Sequence, residues 1–242
     1  MEKEHKLAVL IDADNVPAKY ITEMMQEITK YGTPTVKRIY GDWTKPHLGS
    51  WKNILLENAI NPIQQYAYTV GKNATDSAMI IDAMDILYSD RVDGFCIVSS
   101  DSDFTKLATR LREAGMTVYG IGEKKTPDPF IAACDKFIYL EILHKEGDST
   151  KTGGKKKPSL DKITPATIRL LKNSVSDAAD EDGWAFMGDV GSLIIKKQPN
   201  FDPRNYGFEK LTPLFGSLNQ FEVEQRDQGK STRFKLIYVR NK

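Results

Sequence analysis

The sequence predicts two domains of different class: an α/β domain on a parallel sheet, then a smaller α+β domain. Three observations carry this expectation. Two apolar runs, LAVLIDADN at 7–15 and FCIVSSDSDF at 95–104, end abruptly in carboxylates. A continuous apolar run is how a strand buried on both faces of a parallel sheet reads. Strand-like and helix-like segments then alternate along the first 140 or so residues, the pattern of a sheet covered by helices on both faces. Finally, HKEGDSTKTGGKKKPSL at 144–160 breaks every periodicity with paired glycines, a lysine triplet and a proline. That composition reads as a flexible linker. The expected boundaries are 1–145 for the first domain, 146–160 for the linker and 161–242 for the second domain.

The elements follow in order. A strand at 6–11 leads to a helix from Pro17 to Lys30, with proline suited to a first helical turn. Strand 35–40, helix 49–59, strand 62–67 and helix 75–88 come next. Strand 94–99 leads to helix 103–113, closed by Gly115, and then to strand 116–121. A short helix at 127–133 and a strand at 136–140 complete the first domain. Beyond the linker, helices are expected at 164–179, 188–197 and 205–218. Strands follow at 221–227 and 232–239, joined by a turn around Gln228–Gly229–Lys230. Three helices and a terminal hairpin are the outline of a winged helix, a helix-turn-helix variant.

Composition excludes several classes. The 242 residues are 40% hydrophobic and 28% charged, as in ordinary globular proteins. No stretch is long and apolar enough to span a bilayer, so no membrane is expected. The first residues, MEKEHK, are charged and read as lacking a secretory apolar region. Cys96 and Cys134 have no metal-ligand spacing, and a buried free thiol is expected for Cys96; a reducing, cytoplasmic compartment follows. Net charge is +1, but it is unevenly spread. Residues 1–145 hold 17 basic and 20 acidic side chains, a net −3, and the remainder 17 and 13, a net +4. Histidines 5, 47 and 144 are scattered, so a histidine triad is not expected.

The chemistry gathers on carboxylates. Open α/β sheets bind ligands beyond the carboxyl ends of their strands, where Asp12, Asp14, Asp101 and Asp103 fall. Asp12 or Asp14 is also a candidate N-cap for the next helix, and Asp103 for the helix FTKLATRL; Asp101 is then left over. On the 75–88 helix, Asp76 shares the apolar face with Ile80, Ala83 and Leu87 at about 100° per residue. A carboxylate on that face is costly unless compensated, whereas Asp82 and Asp85 fall elsewhere on the wheel and read as solvated. Clustered carboxylates repel one another unless protons or a cation compensate, and Mg²⁺ or Mn²⁺ prefers such oxygen ligands. The acidic pattern also resembles the D-x-D of haloacid-dehalogenase phosphatases and, weakly, a metal-ion-dependent adhesion site, but each lacks its further residues here. No phosphate-binding glycine loop of either common type is present.

The motifs LAVLIDADN, GKNATD and VSSDSDFTKLATRLREAGMTVYGIG resemble the NYN branch of the PIN-like nuclease superfamily, across nearly all of residues 5–142. The resemblance implies a three-layer PIN-like α/β domain and a metal-dependent ribonuclease. Carried over by position, it implies metal-binding acids at Asp12, Asp76, Asp101 and Asp103, with Asn15 supporting the first and Asp14 as a second-tier candidate. Lys72, Asn73 and Thr75 stand close enough in sequence to Asp76 to contact phosphate, with loop chemistry the alternative. Arg38, Trp43 and Lys45 follow the second strand and offer charge and a stacking surface; Trp43 and Trp51 are equally packing candidates, Trp51 more so.

The segment DGWAFMGDVGSLIIKKQPNFDPRNYGFEKLTPLFGSLNQFEVEQ at 182–225 is similar to the OST-HTH, or LOTUS, domain. That family implies a winged-helix module that binds RNA or, in some members, a protein partner. Phe201, Tyr206, Phe208, Leu211, Leu214 and Phe215 read as core. Lys196, Lys197, Arg204, Lys210 and Arg233 form the expected exposed basic set, for RNA or for solubility alone. Together the two resemblances imply a metal-dependent endoribonuclease tethered to an RNA-reading domain. The alternatives are an RNA- or protein-binding adaptor that does not cut, and a small-molecule phosphohydrolase.

Overall fold

A computed structural model describes residues 4–66, 74–143, 160–227 and 235–242. The expected linker at 146–160 lies almost wholly outside them, as do Lys72, Asn73, Arg233 and the turn at 228–230. The chain divides into two compact units, 1–152 and 153–242.

The first unit is a six-stranded parallel sheet covered on both faces. Its strands are β1 (Lys6–Asp12), β2 (Thr33–Gly41), β3 (Asn61–Gln64), β4 (Gly94–Val98), β5 (Thr117–Gly122) and β6 (Lys136–Tyr139). Its α-helices are α1 (Ile21–Ile28), α2 (Trp51–Glu57), α3 (Ala74–Tyr88), α4 (Thr105–Glu113) and α5 (Asp128–Ala133). The strand order is β3-β2-β1-β4-β5-β6, every neighbour parallel. Chain direction across the sheet reverses between β1 and β4. Side chains alternate across a strand, and β1 shows the result. Leu7, Val9 and Ile11 pack with Ile21, Met24 and Ile28 of α1 and with Trp51 and Leu55 of α2. Ala8 and Leu10 enter the opposite layer with Met79 and Ala83 of α3, Leu107 and Leu111 of α4 and Phe130 of α5. Cys96 and Cys134 are free and buried.

The second unit holds α6 (Pro165–Ala178), α7 (Met187–Lys197) and α8 (Leu211–Gly216), with an antiparallel sheet ordered β7-β9-β8. The strands are β7 (Ala185–Phe186), β8 (Phe221–Asp227) and β9 (Lys235–Asn241). Thr164 caps α6 in a reciprocal capping box with Thr167. Two features differ from expectation. The helix expected over 205–218 is broken: a 3-10 turn at Pro203–Tyr206 ends at Gly207, whose φ is +85°, and α8 starts only at Leu211. Glycine takes that left-handed conformation cheaply. Pro213 also lacks the N–H that a helix continuing from 205 would require. The short strand β7, not expected from sequence, adds a third strand on β9. Among the described residues no helix is long and apolar enough to cross a membrane.

Candidate functional site

In an open parallel sheet the ligand crevice lies where chain direction reverses, beyond the strands' carboxyl ends. Here that is between β1 and β4. Asp12 closes β1 and is fully buried. Its Oδ2 accepts from Asn15 Nδ2 at 2.6 Å and from Ser99 Oγ at 2.9 Å, while Oδ1 accepts from the Asp14 N–H at 3.1 Å. Burial pushes the Asp12 carboxyl up, and these three hydrogen bonds oppose it. Neither Asp12 nor Asp14 caps the following helix. The 3-10 turn Ala18–Tyr20 that opens it has Pro17 at the cap position and no side-chain cap bond.

Ser99 also accepts the Asp101 N–H at 3.1 Å, so one hydroxyl ties the end of β1 to the chain leaving β4. Asp101, expected to be left over, is the N-cap of the 3-10 turn Ser102–Phe104 and accepts the Asp103 N–H at 2.9 Å. Asp103 does not cap α4; Phe104 stands at that cap position without a side-chain bond.

Asp76 sits in the first turn of α3 and is only 9% exposed. One carboxylate oxygen each from Asp76, Asp101 and Asp103 lie within 4.8 Å of one another. Burial, followed by the charges of Asp12, Asp101, Asp103 and Asp14, pushes the Asp76 carboxyl up to about 6. Two segments distant in sequence, the first turn of α3 and the turn after β4, therefore deliver acids to one place. Asp12 acts on Asp76 through its charge and is not one of the three grouped acids.

The other expected residues are placed as follows. Arg38 lies within β2, opposite Leu10, and not at the sheet's carboxyl edge. Its guanidinium and the Tyr40 hydroxyl both donate to Asp82. Asp82, expected to be solvated, is thus the anchor of α3 on β2: a neighbouring strand offered two donors that a helical wheel does not show. Burial, then Asp82, pushes the Tyr40 hydroxyl up. Trp43 is half-buried against the core, with its indole N–H donating to the Ile63 carbonyl at 3.0 Å, so its ring packs rather than standing free. Trp51 is buried. Lys45 adjoins Asp42, whose carboxyl is held low by Thr44 and Gln64. In the second unit Lys196 and Lys210 are exposed, and Lys197 pairs with Asp177 at 2.5 Å. Arg204 is bound through Nε and Nη2 to the buried Asp202, at 2.9 and 2.7 Å, and so departs from the expected exposed set.

Sequence reasoning missed Ser99 and Tyr40. The signal for Ser99 was its position, a small hydroxyl at a strand end two residues before an acid. Tyr40 lies in register with Asp12 on the neighbouring strand, and its carbonyl accepts the Ala13 N–H at 3.0 Å.

Comparison with known proteins places these features in families. The NYN domain profile matches residues 6–141 and the OST-HTH/LOTUS profile residues 158–232. An uncharacterized protein of Methanocaldococcus jannaschii is 25% identical over 124 residues, 49% of this chain and 48% of that protein. The chain thus spans about half the length of that relative. A protein of unknown function from Vibrio parahaemolyticus is 21% identical, covering 57% of this chain and 93% of that chain, with a TM-score of 0.49. An uncharacterized protein from Nitrosomonas europaea is 28% identical, covering 41% of this chain and 92% of that chain, with a TM-score of 0.31. Likeness at those scores says nothing of function. The two matched profiles are a PIN-like nuclease family and a generally RNA-binding one. With its acids at the crevice of a parallel sheet, the chain belongs to the NYN domain family and carries an OST-HTH/LOTUS domain after it.

Proposed function

We propose that the first unit is a divalent-metal-dependent endoribonuclease and that the second unit holds its RNA. The observation that carries this reading is the meeting of Asp76, Asp101 and Asp103 oxygens within 4.8 Å. The donor set fits the ion: it is all carboxylate oxygen, the ligand type of Mg²⁺ and Mn²⁺. Burial first and the neighbouring acids second push the Asp76 carboxyl up, and a bound cation would offset both. Asp76, Asp101 and Asp103 would hold the ion, with Asp12 adding negative charge nearby.

A divalent ion bound there supplies Lewis acidity toward a phosphodiester. The protein's own part is to hold the acids in place. Asn15 and Ser99 fix Asp12, and Ser99 with the Asp101 cap fixes the loop that carries Asp101 and Asp103. One carboxylate of the cluster accepts a proton from the attacking water as its oxygen bonds phosphorus and the leaving P–O bond breaks. The acidic first unit attracts polyanions poorly, and a basic neighbour on a tether raises the local RNA concentration. Two free, buried cysteines support a cytoplasmic setting.

The test is cleavage of a labelled single-stranded RNA by the full chain with Mn²⁺ or Mg²⁺, beside Asp101→Asn. Cleavage that disappears in the variant and in chelator is expected. Tight RNA binding by the wild type with no cleavage would sink the enzyme and leave an adaptor.

A further inference from the structure

The sheet of the second unit has one face toward its helices and one face away. Phe221 and Val223 of β8 and Ile237 and Val239 of β9 pack into the helical core. Strand alternation therefore turns Glu222, Glu224, Arg226, Tyr238 and Arg240 to the other face. Tyr238 stands in register with Phe186 on one side and Glu224 on the other, and Arg240 with Glu222.

That outer face is made of rings and planar cations. The Arg226 guanidinium lies 4.9 Å from the Trp184 ring centre and 4.5 Å from that of Tyr238. The Arg240 guanidinium lies 4.7 Å from the Trp184 ring centre. The Phe186 and Tyr238 rings are 6.0 Å apart and tilted by 58°. Trp184 is 8% exposed, covered in part by the two arginines, while Phe186 is 37% exposed and the Arg226 side chain 38%. The charges are balanced within the face. Arg226 donates to Glu224 at 3.3 Å, and Arg240 donates to Glu222 through Nε at 2.8 Å and through Nη2 at 2.7 Å.

This balance selects the ligand. A phosphate would have to compete with two glutamates already on the arginines. A nucleobase would not, because it is neutral and flat, and it gains by stacking on an aromatic ring or a guanidinium plane. We propose that this face is a base-stacking platform for single-stranded RNA, with Phe186, Tyr238 and Arg226 as its receiving surfaces. The proposal rests on the reading that the second unit holds RNA, and it leaves phosphate contact to exposed lysines such as Lys196 and Lys210.

The experiment uses the full chain in chelator, so that no strand is cut. Binding of a fluorescein-labelled single-stranded RNA is followed by anisotropy across a salt series, beside an abasic ribose-phosphate strand of the same length. Phe186→Ala and Tyr238→Ala should each weaken RNA binding about tenfold, within the range measured for losing one stacked base. Arg226→Lys keeps the charge and loses the plane, so it should weaken binding in the same direction without disturbing the fold. All three should leave the salt slope and abasic-strand affinity unchanged, whereas replacing Lys196 and Lys210 should flatten the slope. Wild-type RNA affinity in all three variants, or equal losses on the abasic strand, overturns the platform and leaves that face to a protein partner. Wild type that binds neither strand removes the RNA reading and the platform together.

Discussion

The Ser99 hydroxyl donates to the Asp12 carboxylate at 2.9 Å and, from the same oxygen, accepts the Asp101 N–H at 3.1 Å. Two acids that arrive 89 positions apart are thereby set by one small side chain just past the end of β4. Ser99→Ala should cost about 1–2 kcal/mol in urea unfolding, since it leaves the buried Asp12 carboxylate and the part-buried Asp101 N–H each one partner short. It should also weaken Mn²⁺ binding measured by calorimetry. A loss of stability with unchanged Mn²⁺ affinity would limit Ser99 to a packing role.

Asp76 makes the ion-free protein sensitive to pH in a defined direction. Its folded pKa is raised from 3.8 to about 6, so the folded state holds the proton more tightly than the unfolded chain does. The stability this provides is complete below about pH 4 and is lost as pH rises through about 6. The shift corresponds to at most about 3 kcal/mol. In chelator, the wild type should lose thermal stability across that interval, and Asp76→Asn should lose less. Adding Mn²⁺ above pH 7 should restore the wild type and leave Asp76→Asn unmoved; melting curves at several pH values decide it.

The Tyr40 hydroxyl and Arg38 together hold Asp82, and so hold α3 against β2. Tyr40→Phe keeps the ring in the core and deletes one donor to a charged acceptor. A loss of about 1.5–3 kcal/mol is expected by denaturant titration. Asp82→Asn should cost a comparable amount, and the double variant less than the sum, because the two residues share one interaction.

Gly122, at the end of β5, has no room for a side chain. A Cβ there would stand 2.6 Å from the Ser99 carbonyl oxygen and 2.7 Å from Thr126 Oγ1. Gly122→Ala should therefore destabilise by about 1–3 kcal/mol and lower RNA cleavage by displacing Ser99. Full cleavage at unchanged stability would show that the neighbouring backbone yields freely.

Removing residues 153–242 should weaken RNA binding while changing the cleavage rate at saturating RNA by no more than about twofold, because a tether raises local concentration without touching the chemistry. The first unit has two apolar layers of its own to fold on. Equal RNA affinity for the short and full chains would refute the tether.

Much of this was legible in the sequence because local composition forces it. Residues such as Leu7–Ile11 and Phe95–Val98 have no stable place except between two layers, and the acids that end those runs can only fall at the strand ends. What stayed hidden depends on neighbours across the sheet. Nothing near Asp82 in the chain announces Arg38 and Tyr40, which reach it from β2. Asp101 rather than Asp103 became the cap because the extended residue before the turn is the one whose side chain can fold back on the free N–H groups. The break at Gly207 is readable, since a glycine and Pro213 stand inside residues 205–218, but the helical apolar spacing of that segment masks them. β7 was too short to carry an alternation of its own and exists because β9 offered it a partner.

The two thiols of the first unit supply a natural clock for its opening. Cys96 and Cys134 are each 1% exposed, and burial pushes Cys134 up to about 12 and Cys96 further. The second unit contains no cysteine. An alkylating reagent therefore modifies the native chain only as fast as the first unit breathes, and the second unit can melt without leaving any mark on the labelling record.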